Sequence, residues 1–440
     1  MGILSRFTQS RRQKTETNQY ETRNFRLALV NGILIRISFR FVDASMVLAA
    51  FIKQLTGSNV MVGLVSSTMR AGQMWPQLLM SNILEHRERK MPFYIAGFIV
   101  RIVSRVITVA LMVILGSKNP MLLFYCFYLL YFVTNSARGV GVLPFNDIVA
   151  KSVPAQRRAR LFSTRALLGG IFSIGTGFVI RHILNNDFRL SFPHNYALLF
   201  GLSAFMMAAS SVAFMFTKEP IHPVRDSRKP FWQHLKLGPH YLKTDPDYKM
   251  FLILRIGLSF GTMAMPFFIP YAMDHIGIAA STVGSYTAVR AASSILSNLL
   301  WVYVGDKHGS RRLLIIAASI ACVIPIVPIL VKYCPVGQKS VLYSIVFILT
   351  QAFISARGIG HMTYSLNMAP GISRPTYLGF LNTVMFPLSF IPVMAGGLIK
   401  ILSYESVFVL SAITSVFTVY FAIKLSDVDD RDDVESKDDR

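Results

Sequence analysis

Acidic side chains are scarce in this chain, 22 against 45 lysines and arginines, and charged residues make up only 15% of its 440 positions. Cysteine is scarcer still. Cys126, Cys322 and Cys334 are too few and too widely spaced for a disulfide framework or a metal-binding set, so neither metal nor cofactor is expected. The sequence has no phosphate-cradling glycine loop, no zinc-ligand spacing and no strained nucleophile turn, and a non-enzyme is therefore expected. No secretory leader is expected either, because the first 24 residues are polar and the apolar run after them is too long and lacks a small-residue cleavage site. Arg6 stands where an N-myristoylation signal requires Ser or Thr.

What fills the chain instead is apolar. Hydrophobic residues make up 53% of it and its mean hydropathy is +0.48, too apolar for a soluble protein of this length. Long apolar runs predict spans at 26–51, 59–83, 91–116, 120–148, 160–183, 194–217, 248–273, 280–304, 312–333, 340–368, 375–400 and 405–425. The expected fold is an all-α membrane protein of 12 transmembrane helices in a 6+6 pseudo-two-fold arrangement. Its parts are an N-terminal segment 1–25, a six-helix bundle 26–217, a linker 218–247, a second bundle 248–425 and an acidic tail 426–440. In the linker, Phe231, Trp232, Leu235 and Leu237 lie among Lys and His, a pattern that fits an interfacial helix or a plain tether, and Gly238-Pro239 would cut a helix short. The tail from Asp427 is mostly Asp and reads as solvated chain.

The +23 net charge is distributed by loop. Arg6, Arg11, Arg12 and Lys14 precede the first span; Arg87, Arg89 and Lys90 follow the second; Lys151, Arg157, Arg158 and Arg160 follow the fourth. Lys218, Arg225, Arg228 and Lys229 follow the sixth, and Lys307, Arg311 and Arg312 the eighth, while the alternate loops carry few cations. This alternation argues for a membrane topology with both termini cytoplasmic, in the plasma (inner) membrane, and against nucleic acid as a partner.

The halves repeat. "SARGVG" at Ser136–Gly141 recurs as "SARGIG" at Ser355–Gly360, an offset of 355 − 136 = 219. "LIRIS" around Arg36 recurs as "LILRIG" around Arg255 at the same offset, and Arg70 matches Arg290 at 220. Arginine inside a membrane costs about 2.5–3.5 kcal/mol on insertion scales, so a duplicated set needs a functional or structural account. Within the spans, Arg36, Arg40, Arg70, Arg101, Arg105, Arg138, Arg255, Arg290 and Arg357 face one deep acid, Asp43. On a continuous first helix Arg36, Arg40 and Asp43 share one face at i, i+4 and i+7, so Asp43 neutralises part of that group. Arginine does not shed its proton, and carboxylate or phosphate suits its forked donors best, so an anionic solute is expected to satisfy the remainder.

Two loops sharpen this reading. Gly305-Asp306-Lys307-His308-Gly309-Ser310-Arg311-Arg312 follows the eighth span and Ser81-Asn82-Ile83-Leu84-Glu85-His86-Arg87-Glu88-Arg89-Lys90 the second. Both resemble the G-x-L-A-D-R-x-G-R-R loop of the major facilitator superfamily, although the first copy has Ser81 and Glu88 where glycines belong. The resemblance, which spans nearly the whole chain, implies a secondary transporter in which Glu85, Arg89, Asp306 and Arg311 form a cytoplasmic gate. It also implies that the first, fourth, seventh and tenth helices line the central cavity, bringing Arg36, Arg138, Arg255 and Arg357 to it. Arg36 with Arg255 resembles the phosphate-binding pair of organophosphate:phosphate antiporters, and Arg70 with Arg290 the nitrate-binding pair of nitrate/nitrite porters, so no subfamily follows.

The expected substrate site comprises Arg36, Arg255, Arg70, Arg290, Arg138 and Arg357, with Arg36 and Arg255 as its centre. Hydrogen bonding that holds helices together is the competing role for Arg138 and Arg357, and Arg101 and Arg105 are expected to be structural. Asp43 and His361 are the proton-coupling candidates. The expected partners are a small anionic solute and the lipid bilayer, with the chain a monomer. Two alternatives stand beside anion transport: a proton-coupled exporter of amphipathic compounds using Asp43, and a receptor or scaffold without turnover.

Overall fold

The computed structural model describes residues 2–85, 87–116, 118–220, 242–368 and 374–428. Among them the chain crosses back and forth as twelve helical spans, six on each side of the linker. The first span is two helices, Gly2–Phe41 and Val47–Thr56, followed by Asn59–Glu85, Met91–Leu115, Pro120–Ser152, Ala155–Ile183 and His194–Met215. In the second half the seventh span begins as Pro246–Gly261 and resumes through short turns at Met265–Phe267, Phe268–Tyr271 and Ala272–Ile276. The eighth and ninth run through Thr282–Val323 with Ile326–Lys332, the tenth is Val336–Met368, the eleventh is Arg374–Met385 with Ile391–Ile401, and the twelfth is Tyr404–Ile423.

Helices suit these sequences because lipid offers no partner to a backbone amide. Their ends are capped: Asn119, Asp245 and Ser403 each accept from an amide of the first turn, and Pro120 and Pro246 take the first helical position, where no amide hydrogen is needed. Nine described segments are long and apolar enough to cross a bilayer by composition, the one from Thr282 to Lys332 holding two crossings. The first two spans fall short, and they carry Arg36, Arg40, Asp43 and Arg70.

The first span corrects the expectation of one continuous helix over 26–51. Its helix ends at Phe41, so Asp43 does not share a helical face with Arg36 and Arg40. The cause is local: Oδ1 of Asp43 accepts from the Ser45 amide at 3.0 Å and from its hydroxyl at 2.7 Å, an Asx turn that competes with helix before Val47 restarts it. The seventh span breaks at the matching depth, between Gly261 and Met265. The two interruptions thus fall at corresponding positions of the two repeats. The linker helix considered above falls largely on 221–241, and the tail beyond Val428 likewise lies outside the described residues.

Within each bundle, polar pairs tie the helices. Asn31 and Ser210 exchange bonds between the first and sixth spans, as do Ser38 and Ser203. Ser411 of the twelfth donates to the Gly261 carbonyl at 2.6 Å, the counterpart contact in the second bundle. The face carrying both chain ends is called the terminal face below. There Arg23 donates to the Phe216 carbonyl and Tyr364 to that of Ser426.

Toward the opposite face the bundles meet backbone to backbone. A Cβ on Gly63 would overlap the Pro392 carbonyl, and one on Gly396 the Asn59 carbonyl, where the second span crosses the eleventh. Gly177 and Gly284 approach each other in the same way where the fifth crosses the eighth. Gly177 and Gly396 are themselves offset by 219. Of the other fifth-span glycines, Gly169 and Gly170 meet Arg36 and Ile295, whereas Gly175 faces open space.

Candidate functional site

Helical periodicity builds the site. Arg70, Gln73 and Gln77 stand at i, i+3 and i+7 on the second span, Arg255 and Ser259 at i and i+4 on the seventh, and Arg357 and His361 at i and i+4 on the tenth. All of these, with Arg138 and Asn382, line one cavity of about 600 Å³ between the bundles, in the half of the spans nearer the terminal face. No acidic residue is among its described lining. Four guanidinium groups therefore converge on one cavity, two from each bundle, with amides and hydroxyls between them.

The groups are held in different ways. Arg255 donates to Asn382 Oδ1 at 3.4 Å. The Arg138 guanidinium lies over the Phe39 ring at 4.2 Å, and that of Arg357 over Phe353 at 5.1 Å. His361 packs edge-on against Phe251, and its Nε2 has no hydrogen-bond partner among the described residues.

A second chamber of about 240 Å³ adjoins the first through Arg70 and Arg357 and reaches toward the opposite face. Asp43 and Arg290 line it. Arg290 Nη1 meets both Asp43 carboxylate oxygens, at 3.1 and 3.3 Å, and the Ser45 hydroxyl at 2.8 Å, while its Nε donates to Gln351 at 3.2 Å. Arg40 adds a second cation 3.7 Å from Asp43. The broken first span thus supplies a carboxylate to an arginine of the other bundle.

Arg36 stands apart from this arrangement. Its Nη1 reaches the Ala166 carbonyl at 3.5 Å and its stem lies against Gly169, so it packs on the fifth span and lines neither chamber. The structure brings Arg255 together with Arg70, Arg138 and Arg357 instead. Arg101 and Arg105 sit inside the first bundle, over Phe39 at 5.9 Å and Phe200 at 5.2 Å.

At the terminal face, Asp306 is exposed and Arg311 donates to the Ile423 carbonyl at 2.7 Å, pinning the ninth span to the end of the twelfth within one bundle. Arg89 is exposed, and the side chain of Glu85 lies outside the described residues. Sequence reasoning passed over Gln73, Gln77, Gln351, Asn382 and Arg165. The first two carried a usable signal, their helical spacing from Arg70. Arg165, five residues into the predicted fifth span, lies over Phe145 at 5.0 Å.

The bundles are tied beyond the cavity. Lys53 pairs with Asp274 at 2.7 Å, and Tyr404 donates to Asn59 at 2.6 Å and to Asp274 at 2.8 Å. Thr287 touches Met46 sulfur at 3.8 Å. Together with the glycine crossings these contacts close the opposite face, while the arginine cavity occupies the terminal half.

A sequence model described as the Major Facilitator Superfamily matches residues 250–439. The nucleoside transporter NupG, as a point mutant, superimposes over 91% of this chain and 99% of its own, with a TM-score of 0.69 at 13% identity. The fold is that of the major facilitator superfamily. A D-xylose-proton symporter agrees to a TM-score of 0.67 at 14% identity, over 93% of this chain and 99% of that one. A bacterial homologue of the iron transporter ferroportin, 11% identical, gives 0.67 in its inward-facing state over 92% of this chain and 98% of its own. Its outward-facing structures give 0.58 and 0.60. No curated protein matches the chain in sequence. Within the superfamily fold, the arginine cavity lies between the two bundles and is lined by the broken seventh span, while the broken first span lines the smaller chamber through Asp43, Ala44 and Ser45.

Proposed function

We propose that the chain is a secondary transporter that carries a small anionic solute across the membrane by alternating rocking of its two bundles. The observation that carries this reading is the cavity in which Arg70, Arg138, Arg255 and Arg357 converge with no described acidic side chain. Guanidinium cannot lose its proton to relieve such crowding, and a forked carboxylate or phosphate is the ligand that matches its donors. The cavity volume falls in the range of small-molecule sites, about 300–1,000 Å³. Asp43 does not line this cavity and is matched by Arg290 and Arg40, which supports a role as a tie between bundles over that of a lone proton carrier for amphipathic cations. With the cation-rich terminal face cytoplasmic, the conformation is inward-facing.

The test is uptake in proteoliposomes. A thermal-shift panel of organic and inorganic anions first identifies ligands that raise the melting temperature, since a solute that binds the native state stabilises it. Uptake of the best ligand is then compared between wild type and the Arg255→Lys and Arg357→Lys variants. Each variant is expected to keep its fold and lose most uptake. Full activity in both, or stabilisation by lipophilic cations alone, overturns the anion reading.

A further inference from the structure

The tie between Asp43 and Arg290 is unequal at its two ends. Asp43 has partners within its own bundle: Arg40 at 3.7 Å, the Ser45 amide at 3.0 Å and the Ser45 hydroxyl at 2.7 Å. In its own bundle Arg290 bonds, among the described residues, only to the neutral Gln351 Oε1 at 3.2 Å, and its other bonds cross the boundary to Asp43 and Ser45. A movement that parts the bundles therefore leaves Asp43 compensated and Arg290 without an anion. A buried charge stripped of its partner is strongly unfavourable. Neither side chain is sealed, since Asp43 keeps 17% and Arg290 11% of its surface accessible, and both line the smaller chamber.

We propose that the anionic group of the solute takes the place of Asp43 on Arg290, so that binding in the smaller chamber releases the tie between the bundles. The inference rests on the anion reading above and adds what the anion displaces. Arg70 and Arg357 belong to both chambers, so an anion drawn into the larger cavity reaches the smaller one at a boundary of positive charge. Inside the smaller chamber Arg70, Arg290 and Arg357 outnumber Asp43, the single carboxylate of its described lining. Both Asp43 oxygens meet Nη1 alone, whereas a guanidinium holds a carboxylate or phosphate best through two parallel N–H groups. An incoming forked anion thus has a better geometry open to it than Asp43 uses. With a volume of about 240 Å³, against about 30 Å³ per water in the liquid, the chamber has room for such a group. Asp43 then falls back on Arg40 and Ser45.

A competitor and a mere tie differ in what they do to affinity. Binding of inorganic phosphate, and of acetate in parallel, to the purified full-length chain is measured by calorimetry in a double-mutant cycle of wild type, Asp43→Asn, Arg290→Gln and the double variant. Asp43→Asn is expected to tighten the better probe about tenfold when Arg290 is present and by less than about twofold in the Arg290→Gln background. A carboxylate that only repels anions through its field would tighten binding equally in both backgrounds. Ser45→Ala keeps every charge and removes the hydroxyl bonded to both partners, and it is expected to tighten the probe about threefold. It decides the matter where Asp43→Asn does not fold. Equal tightening in both backgrounds, or unchanged affinity in Asp43→Asn and Ser45→Ala alike, overturns this inference and leaves the anion reading standing. Failure of wild type, Asp43→Asn and Ser45→Ala to bind either probe overturns the anion reading and this inference with it.

Discussion

The two bundles share one duplicated pattern, yet they hold their arginines by different means. In the first, Arg101, Arg105 and Arg138 lie over Phe39 and Phe200 at 4.2 to 5.9 Å, and Arg165, over Phe145, adds a bond to Asn31 Oδ1 at 3.5 Å. In the second, Arg290 and Arg255 donate to the side-chain amides of Gln351 and Asn382, and Arg290 draws on the Asp43 carboxylate across the bundle boundary. Arg357, over Phe353, shares the first bundle's manner. A ring face attracts a cation without fixing the direction of its N–H groups, whereas an amide or carboxylate fixes them. The difference assigns the seventh and eighth spans to a fixed wall of the site and the fourth to an adaptable one.

Lysine substitution breaks this comparison with the largest effect. Arg255→Lys removes the fork that reaches both Asn382 and the cavity, and uptake is expected to fall about 100-fold. Arg138→Lys keeps a cation over Phe39, and a loss of about tenfold or less is expected. Equal losses in proteoliposome assays would erase the distinction between the walls.

Next in size is the charge borrowed across the boundary. Asp43→Asn leaves Arg290 without its anionic partner and is expected to destabilise the fold by about 3–5 kcal/mol, read as a lower melting temperature. The double variant Asp43→Asn/Arg290→Gln is expected to recover much of that loss, and strict additivity would deny the pairing.

The two copies of the loop motif make a smaller contrast. Gly309 turns the chain between the eighth and ninth spans at φ 79° and ψ 171°, a conformation reserved for glycine. Gly309→Ala is expected to cost about 1–3 kcal/mol. At the corresponding position of the first copy stands Glu88, and no described non-glycine residue has a positive φ, so Glu88→Gly should change melting by less than about 0.5 kcal/mol. A similarly small effect belongs to Lys53→Gln, whose pair with Asp274 is partly exposed and contributes about 0–1 kcal/mol, falling further in high salt.

The frame of this fold was legible because hydropathy and duplication are one-dimensional signals. Twelve apolar runs and an offset of 219 survive without knowledge of how helices rotate. Azimuth is a different matter. The place of Arg36 inside the first span followed from hydropathy, but its facing depends on how that helix rolls against the fifth, where Gly169 leaves room for its stem. Arg138 and Arg357, weighed as helix braces, are at the cavity wall. The broken first span had a local cue, Asp43 two residues before Ser45, masked by the apolar residues around it. The seventh had Pro266, which disfavours helix at Met265, three residues beyond the position matching Asp43 at the same offset. Gln351 and Asn382 gave no sign of their role, because a neutral amide in an apolar run has meaning only once its arginine is next to it.

The crossings at Gly63 with Pro392, Gly396 with Asn59, and Gly177 with Gly284 are surfaces without knobs. Interlocking side chains would have to be lifted out of their sockets before one bundle turned on the other. Smooth backbone on smooth backbone can roll, trading one set of weak carbonyl contacts for the next at nearly constant energy. Two such tracks, placed symmetrically, would serve the proposed rocking as the races of a bearing. The load that decides which way the bearing turns is then left to the few charged and hydroxylic groups between them.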